Sequence, residues 1–348
     1  MFRISVWETI EVGPDNFEGD DSFVSLEPGE MEYMAICLIT GVAGFIGSSL
    51  ARALLAEGDQ VRGIDNFSTG KPENIAGISS QIEFWEADVL DRDALNNACR
   101  GVDNIFHEAA IPSVPKSVLD PLGNNQANLD GTVHLLIAAR EAKVKRVVYA
   151  ASSSAYGDDP TLPKHEGMLP NPISPYAVAK LASEYYMRSF WRCYGLEAVS
   201  LRYFNVFGPR QDPDSPYSGV LAKFITQMLN GEQPTIFGDG SQSRDFTYID
   251  NVISANLLAA KAPALRVAGQ VFNVGTGTRV NLKEIFRLLK QIIGYGGQVN
   301  YAPERAGDVK HSVADLSQIE EQLGYHPLVD IELGLRRTVE WYRSSIKS

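Results

Sequence analysis

Tyr176 and Lys180 are the two side chains whose type and spacing point most directly to proton transfer. They lie four residues apart in the sequence Ser-Pro-Tyr-Ala-Val-Ala-Lys, so on a helix they share one face. A neighbouring ammonium favours the phenolate form of a tyrosine. A phenolate near neutral pH can act as the general base for an alcohol that is losing a hydride. Because this spacing is common, the pair taken alone favours an ordinary surface helix.

Three serines strengthen the catalytic interpretation of that pair. Ser152, Ser153 and Ser154 end a predicted buried strand, and Tyr176 lies 24 residues after Ser152. A hydroxyl group at the end of such a strand can bridge a substrate alcohol and the tyrosine. The serines, Tyr176 and Lys180 together therefore predict one catalytic group.

Gly41, Gly44 and Gly47 follow an apolar segment, residues 35–39, that predicts a short buried strand. A stretch rich in Ala and Leu follows them, and strand, glycine turn and helix are the context of a dinucleotide-binding site. The first glycine permits a tight turn, the second lets the backbone approach a pyrophosphate, and the third allows close packing of helix on strand. The N-terminus of the helix then offers N–H groups to the phosphates.

Asp65 ends the second predicted strand, about 20 residues beyond the glycines, where a carboxylate binds the adenine ribose of NAD and repels the extra phosphate of NADP. The glycine spacing, G-x-x-G-x-x-G, differs from the usual G-x-G-x-x-G. The alternative is an ordinary glycine-rich turn, which the position of Asp65 makes less favourable. The sequence therefore predicts an NAD site.

The composition excludes other classes of function. The 348 residues are 44% hydrophobic and carry a formal net charge of −12. This charge argues against non-specific binding of nucleic acid and against an anionic membrane surface. The apolar runs are too short to span a bilayer. The three cysteines (Cys37, Cys99 and Cys193) are scattered, which is typical of a reduced, cytoplasmic protein.

Predicted strands and helices alternate from residue 35 to about 205, which indicates an α/β fold with a doubly wound parallel sheet of the Rossmann type. The predicted strands are 35–40, 61–65, 82–87, 103–107, 146–151 and 198–202. The predicted helices of this part are 45–57, 91–99, 124–142 and 174–194. Ligands of such sheets lie at the carboxyl ends of the strands, where the glycines, Asp65 and the serines fall.

The predicted domain division follows a change in composition and pattern after Gly208-Pro209. We expect an NAD-binding domain of residues 34–205, to which 250–275 returns. Residues 206–249 and 276–348 then form a smaller α/β substrate domain, with helices at 219–229, 281–293 and 315–323. Residues 1–33 lack the features of a signal peptide, and we expect either a flexible or weakly docked arm or an over-long gene model.

Several ordered motifs resemble the extended short-chain dehydrogenase/reductase family. They are the Gly41–Gly47 turn, the serine cluster followed by Tyr156-Gly157, and the Tyr176/Lys180 pair. Within that family, the segments 202–209, 240–246 and 305–308 look like those of nucleotide-sugar epimerases. The resemblance covers residues 35 to about 345.

The resemblance implies an NAD cofactor that is tightly bound and not consumed. Asp88 and Val89 would flank the adenine, Phe204 would lie by the nicotinamide, and Lys180 would bind the nicotinamide ribose. The implied cofactor-binding residues are Gly41, Gly44, Phe45, Ile46, Gly47, Asp65, Asn66, Ser68, Gly70, Asp88, Val89, Ala109, Ala110, Asn128, Tyr176, Lys180, Tyr203, Phe204 and Val206.

The resemblance also implies a UDP-sugar substrate. Arg244 and Arg305 would clamp its diphosphate through charge-assisted hydrogen bonds, and Asp308 would bind the uridine ribose. The implied substrate-binding residues are Ser113, Ser152, Ser153, Ser154, Tyr176, Asn205, Val220, Arg244, Arg305, Asp308 and Ser312.

The implied reaction is epimerisation at C4 of the sugar. Tyr176 takes the proton of the 4-hydroxyl, hydride passes to NAD, and the 4-keto sugar rotates while its UDP group stays bound. Related 4,6-dehydratases carry an Asp-Glu pair where this chain has Ser153 and Ser154, and the related decarboxylases have a Glu in this segment, so both activities are disfavoured. A non-catalytic NAD-binding sensor is the alternative of another class, and the presence of Tyr176 and Lys180 disfavours it.

Ser312 is the position that, by resemblance, faces the C2 substituent of the sugar. Its small side chain leaves room for an N-acetyl group, so UDP-N-acetylglucosamine is the preferred substrate. UDP-glucose stays open, as does UDP-glucuronate, whose carboxylate Lys116 or Lys310 could meet. By analogy with the family, we also expect a homodimer that pairs two helices of each subunit.

Overall fold

The computed structural model describes residues 34–213, 219–304 and 310–346, all within one compact unit that begins at Met34. The strands are β1 Ile36–Thr40, β2 Gln60–Asp65, β3 Ile82–Glu86, β4 Asn104–His107, β5 Arg146–Ser152, β6 Glu197–Tyr203, β7 Val206–Phe207, β8 Thr235–Phe237, β9 Ser243–Arg244, β10 Thr247–Tyr248, β11 Val271–Val274, β12 Val280–Asn281 and β13 Asn300–Ala302. The helices are α1 Phe45–Ala56, α2 Pro72–Ala76, α3 Arg92–Ala98, α4 Val114–Leu119, α5 Pro121–Asn125, α6 Gly131–Glu141, α7 Pro175–Tyr194, α8 Val220–Leu229, α9 Ile249–Lys261, α10 Ala264–Val267, α11 Leu282–Ile293, α12 Ser317–Leu323 and α13 Ile331–Ile346. No helix among these described residues is long and apolar enough to cross a membrane.

Seven parallel strands form the central sheet in the order β11-β6-β5-β4-β1-β2-β3. The inner strands are buried and mostly apolar because helices cover both faces; in β5, the six residues before Ser152 are all buried. The six strands predicted between residues 35 and 205 are confirmed to within one residue at each end. The sheet confirms the predicted Rossmann-type α/β class.

Helix α7 forms where the sequence predicts it, because clear signals mark both of its ends. The Ser174 side chain accepts a hydrogen bond from the Ala177 amide, and Pro175 occupies the first turn. Gly195 ends the helix in the left-handed conformation, at φ +73°. These signals fix the start of α7 and thus the position of Tyr176, the second residue of the helix.

The predicted helix 124–142 is wrong as a single element. Helix α5 gives way to a π-helical turn over Gln126–Asp130 before α6 begins at Gly131. The turn lies beside the loop after β4, and there the Asn128 side chain accepts a hydrogen bond of 2.8 Å from the Ile111 amide. A tertiary contact of this kind outweighs the local helical pattern. The sequence pattern also missed α2, α4, α10, α13 and most of α5.

Segment 249–274 returns to the sheet, as predicted. Strand β11 pairs with β6, and α9 packs against α1 and β5. Arg146 at the start of β5 is 2% exposed, and its guanidinium donates to the carbonyls of Ala259, Ala260 and Ala262 at the end of α9, at 2.6–2.8 Å. The C-terminus of α9 is therefore capped by a cation of the sheet.

The segments after residue 205 form three small pairs of strands, β7 with β10, β8 with β13 and β9 with β12. One continuous apolar core joins sheet residues such as Ile39 to Phe224 and Tyr325 of this region. The exact domain boundaries stay a prediction.

Candidate active site

A cavity of about 880 Å³ lies at the carboxyl end of the sheet. Residues that directly follow the strands line it, among them Gly41 after β1, Asp65 at the end of β2, Asp88 after β3 and Ala109 after β4. Ser152 and Tyr203 complete the row at the ends of β5 and β6. The predicted convergence of these residues at one edge of the sheet is thus observed.

The glycine turn forms a cradle that side chains would fill. Gly41 has φ +72°, and a Cβ on it would lie 2.8 Å from the backbone of Ala109. A Cβ on Gly47 would lie 2.2 Å from the Gly41 carbonyl oxygen. Gly44 begins α1 without a side-chain cap, and the first turn of α1 contains no acidic residue. The backbone at this helix start can therefore meet a diphosphate, so the cradle fits the pyrophosphate of NAD.

Asp65 closes the adjoining part of the cavity with a fixed carboxylate. It accepts hydrogen bonds from the amides of Ala43, at 2.9 Å, and Phe67, at 2.8 Å. A Cβ on Gly70 would lie 2.9 Å from both carboxylate oxygens. Asn66 donates to Asp88 at 2.6 Å. Two carboxylates here fit the hydroxyls of a ribose and disfavour an added phosphate.

Tyr176 and Ser152 face each other across the deep end of the cavity. A hydrogen bond with Ser152 lowers the pKa of Tyr176, but burial has the larger effect and raises it. The expectation that the Lys180 ammonium favours the phenolate form of Tyr176 stays a prediction. The Ser154 hydroxyl donates to that of Ser152 at 2.8 Å. Ser154 thus supports Ser152 from behind, and neither it nor Ser153 is among the residues that line the cavity.

Lys180 is buried in the cavity wall beneath Tyr176. Its ammonium donates to the Ala150 carbonyl at 2.7 Å and lies 4.7 Å from the centre of the Tyr149 ring. Burial lowers the pKa of Lys180 to about 8, whereas Glu108 and Glu184 oppose this change. The amine therefore titrates close to neutral pH.

Most predicted cofactor-binding residues line the cavity, and two lie behind its wall. Asn128 is 1% exposed and holds the Ile111 backbone. Phe204 is fully buried and packs against Tyr156, with ring centres 6.2 Å apart. The predicted roles of both residues in NAD binding stay predictions. The residues found on the wall are Gly41, Gly44, Phe45, Ile46, Gly47, Asp65, Asn66, Ser68, Gly70, Asp88, Val89, Ala109, Ala110, Tyr176, Lys180, Tyr203 and Val206.

A second cavity of about 260 Å³ shares Asn205 and Val206 with the first and is lined by Val220 and Arg244. Asn205 lies between the two cavities, and its amide donates to the Asp245 carbonyl at 3.0 Å and to the Ser312 hydroxyl at 3.4 Å. Ser113 lies on the wall of the first cavity. The predicted residues Arg305 and Asp308 lie outside the described residues.

Glu108 and Arg210 are among the cavity residues that the sequence reasoning missed. Glu108 directly follows β4 and precedes Ala109. It could have been predicted, because residues at or just after the ends of other strands of the sheet also line the cavity. Arg210 has φ +69° and donates to the Ser49 hydroxyl at 3.0 Å, which places a cation over α1. No local pattern marks Arg210, because its partner is 161 residues away.

Comparison with known proteins identifies the class. The model of the NAD dependent epimerase/dehydratase family matches residues 37–275. The chain is 40% identical over 311 residues to a UDP-glucose 4-epimerase of Mycolicibacterium smegmatis, covering 88% of this chain and 98% of that one. The chain therefore belongs to the NAD-dependent epimerase/dehydratase family. This confirms the predicted family, its enzymatic character and its cofactor.

Solved structures agree with that assignment. A UDP-N-acetylglucosamine 4-epimerase of Methanobrevibacter ruminantium is 41% identical, with a TM-score of 0.85 over 90% of this chain and 99% of that one. A UDP-glucuronic acid 4-epimerase of Bacillus cereus, in complex with UDP-glucuronic acid and NAD, is 34% identical, with a TM-score of 0.82 over 89% of this chain and 99% of that one. Similar proteins thus act on sugars that differ at C2 and at C5.

Proposed function

We propose that this protein is a UDP-sugar 4-epimerase. The observation that carries the proposal is the Ser152–Tyr176 pair above Lys180, at the deep end of a cavity whose other end is a dinucleotide cradle. An adjoining cavity is available for the nucleotide part of the substrate. The names of similar proteins support the same activity.

In the proposed mechanism, Tyr176 is the group that exchanges a proton with the sugar 4-hydroxyl. Ser152 holds both oxygens in line, and Ser154 keeps the Ser152 hydroxyl oriented. NAD, when bound, supplies the chemistry of taking up and returning a hydride at C4. Lys180 adds a positive charge beside Tyr176 and so favours release of the tyrosine proton.

We propose that the UDP group of the substrate lies in the second cavity. Arg244 lines it, and the Arg244 guanidinium is held by the carbonyls of Ser243 and Lys310 at 3.1 and 2.9 Å. Arg305 and Asp308 are proposed as further contacts of the diphosphate and the uridine ribose. The UDP group is remote from C4. Its contacts with the protein can therefore hold the nucleotide in place while the sugar rotates.

UDP-N-acetylglucosamine is the proposed preferred substrate. Ser312 is not among the residues that line either cavity, but it is hydrogen-bonded to Asn205 at their junction, so its small side chain lies behind the wall that the sugar would meet. UDP-glucose and UDP-glucuronate are the alternatives, and similar proteins named for each are known.

Proton NMR of the purified protein with each of the three UDP-sugars tests this proposal. A galacto-configured product from the acetylated sugar, without added NAD, is the expected result. Turnover of UDP-glucose or UDP-glucuronate alone would support the 4-epimerase reaction and refute UDP-N-acetylglucosamine as the preferred substrate. No turnover of any of them, even with NAD supplied, would refute the 4-epimerase and favour the NAD-binding sensor.

A homodimer is proposed from the apolar side chains that α7 and its neighbours expose. Val178 and Tyr185 on α7 are 51% and 57% exposed, and Leu119 and Leu122 beside them are 80% and 68% exposed. Helices α4 and α5 both pack against α7, so these side chains lie on adjoining helices. Analytical ultracentrifugation of the wild type and of Tyr185→Glu checks this; a wild-type monomer would refute it.

A cytoplasmic location is also proposed. All three cysteines are unpaired, with Cys37 and Cys99 buried and Cys193 exposed, and free thiols are typical of a reducing compartment. Cell fractionation with an antibody against the chain would test it.

A further inference from the structure

Glu108 is a cavity residue to which neither the sequence motifs nor the mechanism above gives a role. Its Oε1 accepts a hydrogen bond of 2.9 Å from the Tyr203 hydroxyl, which itself accepts one of 2.8 Å from the Asn256 amide. Its Oε2 is buried and has no hydrogen-bond partner among the described residues. A buried carboxyl group with only one of its two oxygens hydrogen-bonded destabilises the fold, which indicates that Glu108 is present for another reason.

The charges around Lys180 suggest that reason. Two carboxylates, Glu108 and Glu184, act on the Lys180 ammonium. Glu184 already forms a two-pronged ion pair with Arg202, at 2.7 and 2.9 Å, in which both side chains are buried. Since Arg202 matches Glu184, Glu108 is the carboxylate that remains to balance Lys180.

The other groups around this pair carry no opposing charge near neutral pH. Tyr203 of β6 and Tyr149 of β5 have pKa values raised well above 10 by burial. Burial and the Lys180 charge lower the pKa of His107 to about 3, so this histidine is neutral. Burial also raises the pKa of Tyr176. Glu108 and Lys180 are thus the groups of this part of the wall that change charge around neutral pH.

We propose that Glu108 is a positioning residue of the active site: it is the counter-charge of Lys180 and fixes the Tyr203 hydroxyl at the cavity wall. The proposal rests on the proposed function insofar as Lys180 assists Tyr176. It assigns Glu108 no contact with the sugar.

The pH range of the charged pair follows from its two members. Burial raises the pKa of Glu108 to about 7, against the opposing effects of Tyr203 and Lys180. Below that pH the carboxyl is neutral and the wall carries the Lys180 charge alone. Above about 8, Lys180 loses its proton and the wall carries the Glu108 charge alone. Both groups therefore titrate around neutral pH, and the charge of the pair responds to pH in that range.

Two substitutions separate the two parts of the proposal. Glu108→Gln removes the charge but keeps an oxygen that accepts from Tyr203, so Lys180 loses its proton at lower pH. We expect the alkaline limb of the rate–pH profile to move down by about one pH unit. Tyr203→Phe keeps the charge but removes the hydrogen bond that lowers the pKa of Glu108. We expect its acidic limb to move up and its alkaline limb to move down less than in Glu108→Gln.

An infrared titration tests the same residue without turnover. In the NAD-loaded protein without UDP-sugar, we expect one protonated-carboxyl band that titrates near pH 7 in the wild type. The band should be absent in Glu108→Gln and should titrate at higher pH in Tyr203→Phe. If the wild type turns over no UDP-sugar, the proposed function fails, while this titration still decides the state of Glu108.

Two outcomes would overturn the proposal. One is a Glu108→Gln profile that is uniformly lower than the wild-type profile with both limbs unmoved, as a merely structural role would give. The other is a wild-type protein in which no carboxyl band titrates between pH 6 and pH 8, roughly one pH unit either side of neutral. If Glu108→Gln fails to fold, Tyr203→Phe still tests both the acidic limb and the band.

Discussion

The two walls of the active site are built in different ways. The sheet-side wall consists of residues at the ends of parallel strands, such as Gly41 and Asp65, and of α7, which packs on β5 and β6. The C-terminal wall includes Val220 at the start of α8 and Arg244 in β9, which pairs with β12 over only two residues, and Ser312 lies behind Asn205. A strand end is fixed by all of its neighbours in the sheet, whereas a short pair is fixed by few contacts. In the proposed mechanism, the proton- and hydride-transfer chemistry therefore lies on the sheet-side wall, and the recognition that distinguishes substrates lies on the C-terminal wall.

Tyr176→Phe should give the largest loss, because it removes the proposed proton-transfer group of the sheet-side wall. We expect the epimerisation rate to fall by roughly 10²–10⁴-fold. Bound NAD, measured by chromatography after denaturation, should remain at the wild-type level. Tyr186→Phe, on the exposed face of the same helix, is the matched control. A Tyr176→Phe enzyme with near wild-type activity would remove Tyr176 from the mechanism.

Gly47→Ala tests how rigid the sheet-side wall is. The new Cβ would lie 2.2 Å from the Gly41 carbonyl oxygen, so α1 or the glycine turn must move. We expect the free energy of unfolding to fall by about 3 kcal/mol and bound NAD to be lost. Gly296→Ala is the control, since a Cβ there meets nothing within 4 Å. Equal effects of both substitutions would show that the cradle is softer than the packing implies.

Ser312→Tyr should change the C-terminal wall alone. A large ring at the junction of the cavities should slow turnover of UDP-N-acetylglucosamine by roughly 10–100-fold relative to UDP-glucose. Competition of the two sugars, followed by NMR, gives the ratio directly. Ser312→Ala serves as the control for the lost hydrogen bond to Asn205. An unchanged ratio would mean that another residue faces the C2 substituent.

Lys71→Ala should have the smallest effect. Lys71, near the glycine cradle, pairs at 2.8 Å with Asp212, and the two side chains are 46% and 29% exposed. Exposed pairs contribute little, so NAD should dissociate no more than about fivefold faster, and high salt should abolish the difference. Stopped-flow dissociation of NAD measures this. A much larger effect would show that this pair joins the two walls.

The sheet-side wall could be predicted from the sequence because its signals are local. Gly41, Asp65, Ser152 and Tyr176 each fall at a strand end or a helix start, and the sheet brings such positions together. In the structure these four residues line one cavity, and the family match confirms the class of enzyme.

Residues that depend on distant partners could not be predicted in this way. Glu108 is hydrogen-bonded to Tyr203, which is 95 residues away in the sequence. The π-helical turn at Gln126–Asp130 likewise lies against the loop after β4, so it depends on a contact outside its own segment. Arg305 and Asp308 stay predictions. The spacing of Tyr176 and Lys180 also does not report how deeply Tyr176 is buried, and burial is the larger effect on its pKa.

The return of β11 to the edge of the sheet also sets the order in which the protein can mature during synthesis. Six of the seven strands are complete once Tyr203 has left the ribosome, but β11 and the α9 carbonyls that Arg146 binds come later, at residues 259–274. Until then, one edge of β6 is unpaired and the Arg146 guanidinium has Glu197 of β6 but lacks its three carbonyl acceptors of α9. We therefore expect the nascent chain to need about 70 further residues, and several seconds at elongation rates of roughly 5–20 residues per second, before the sheet closes.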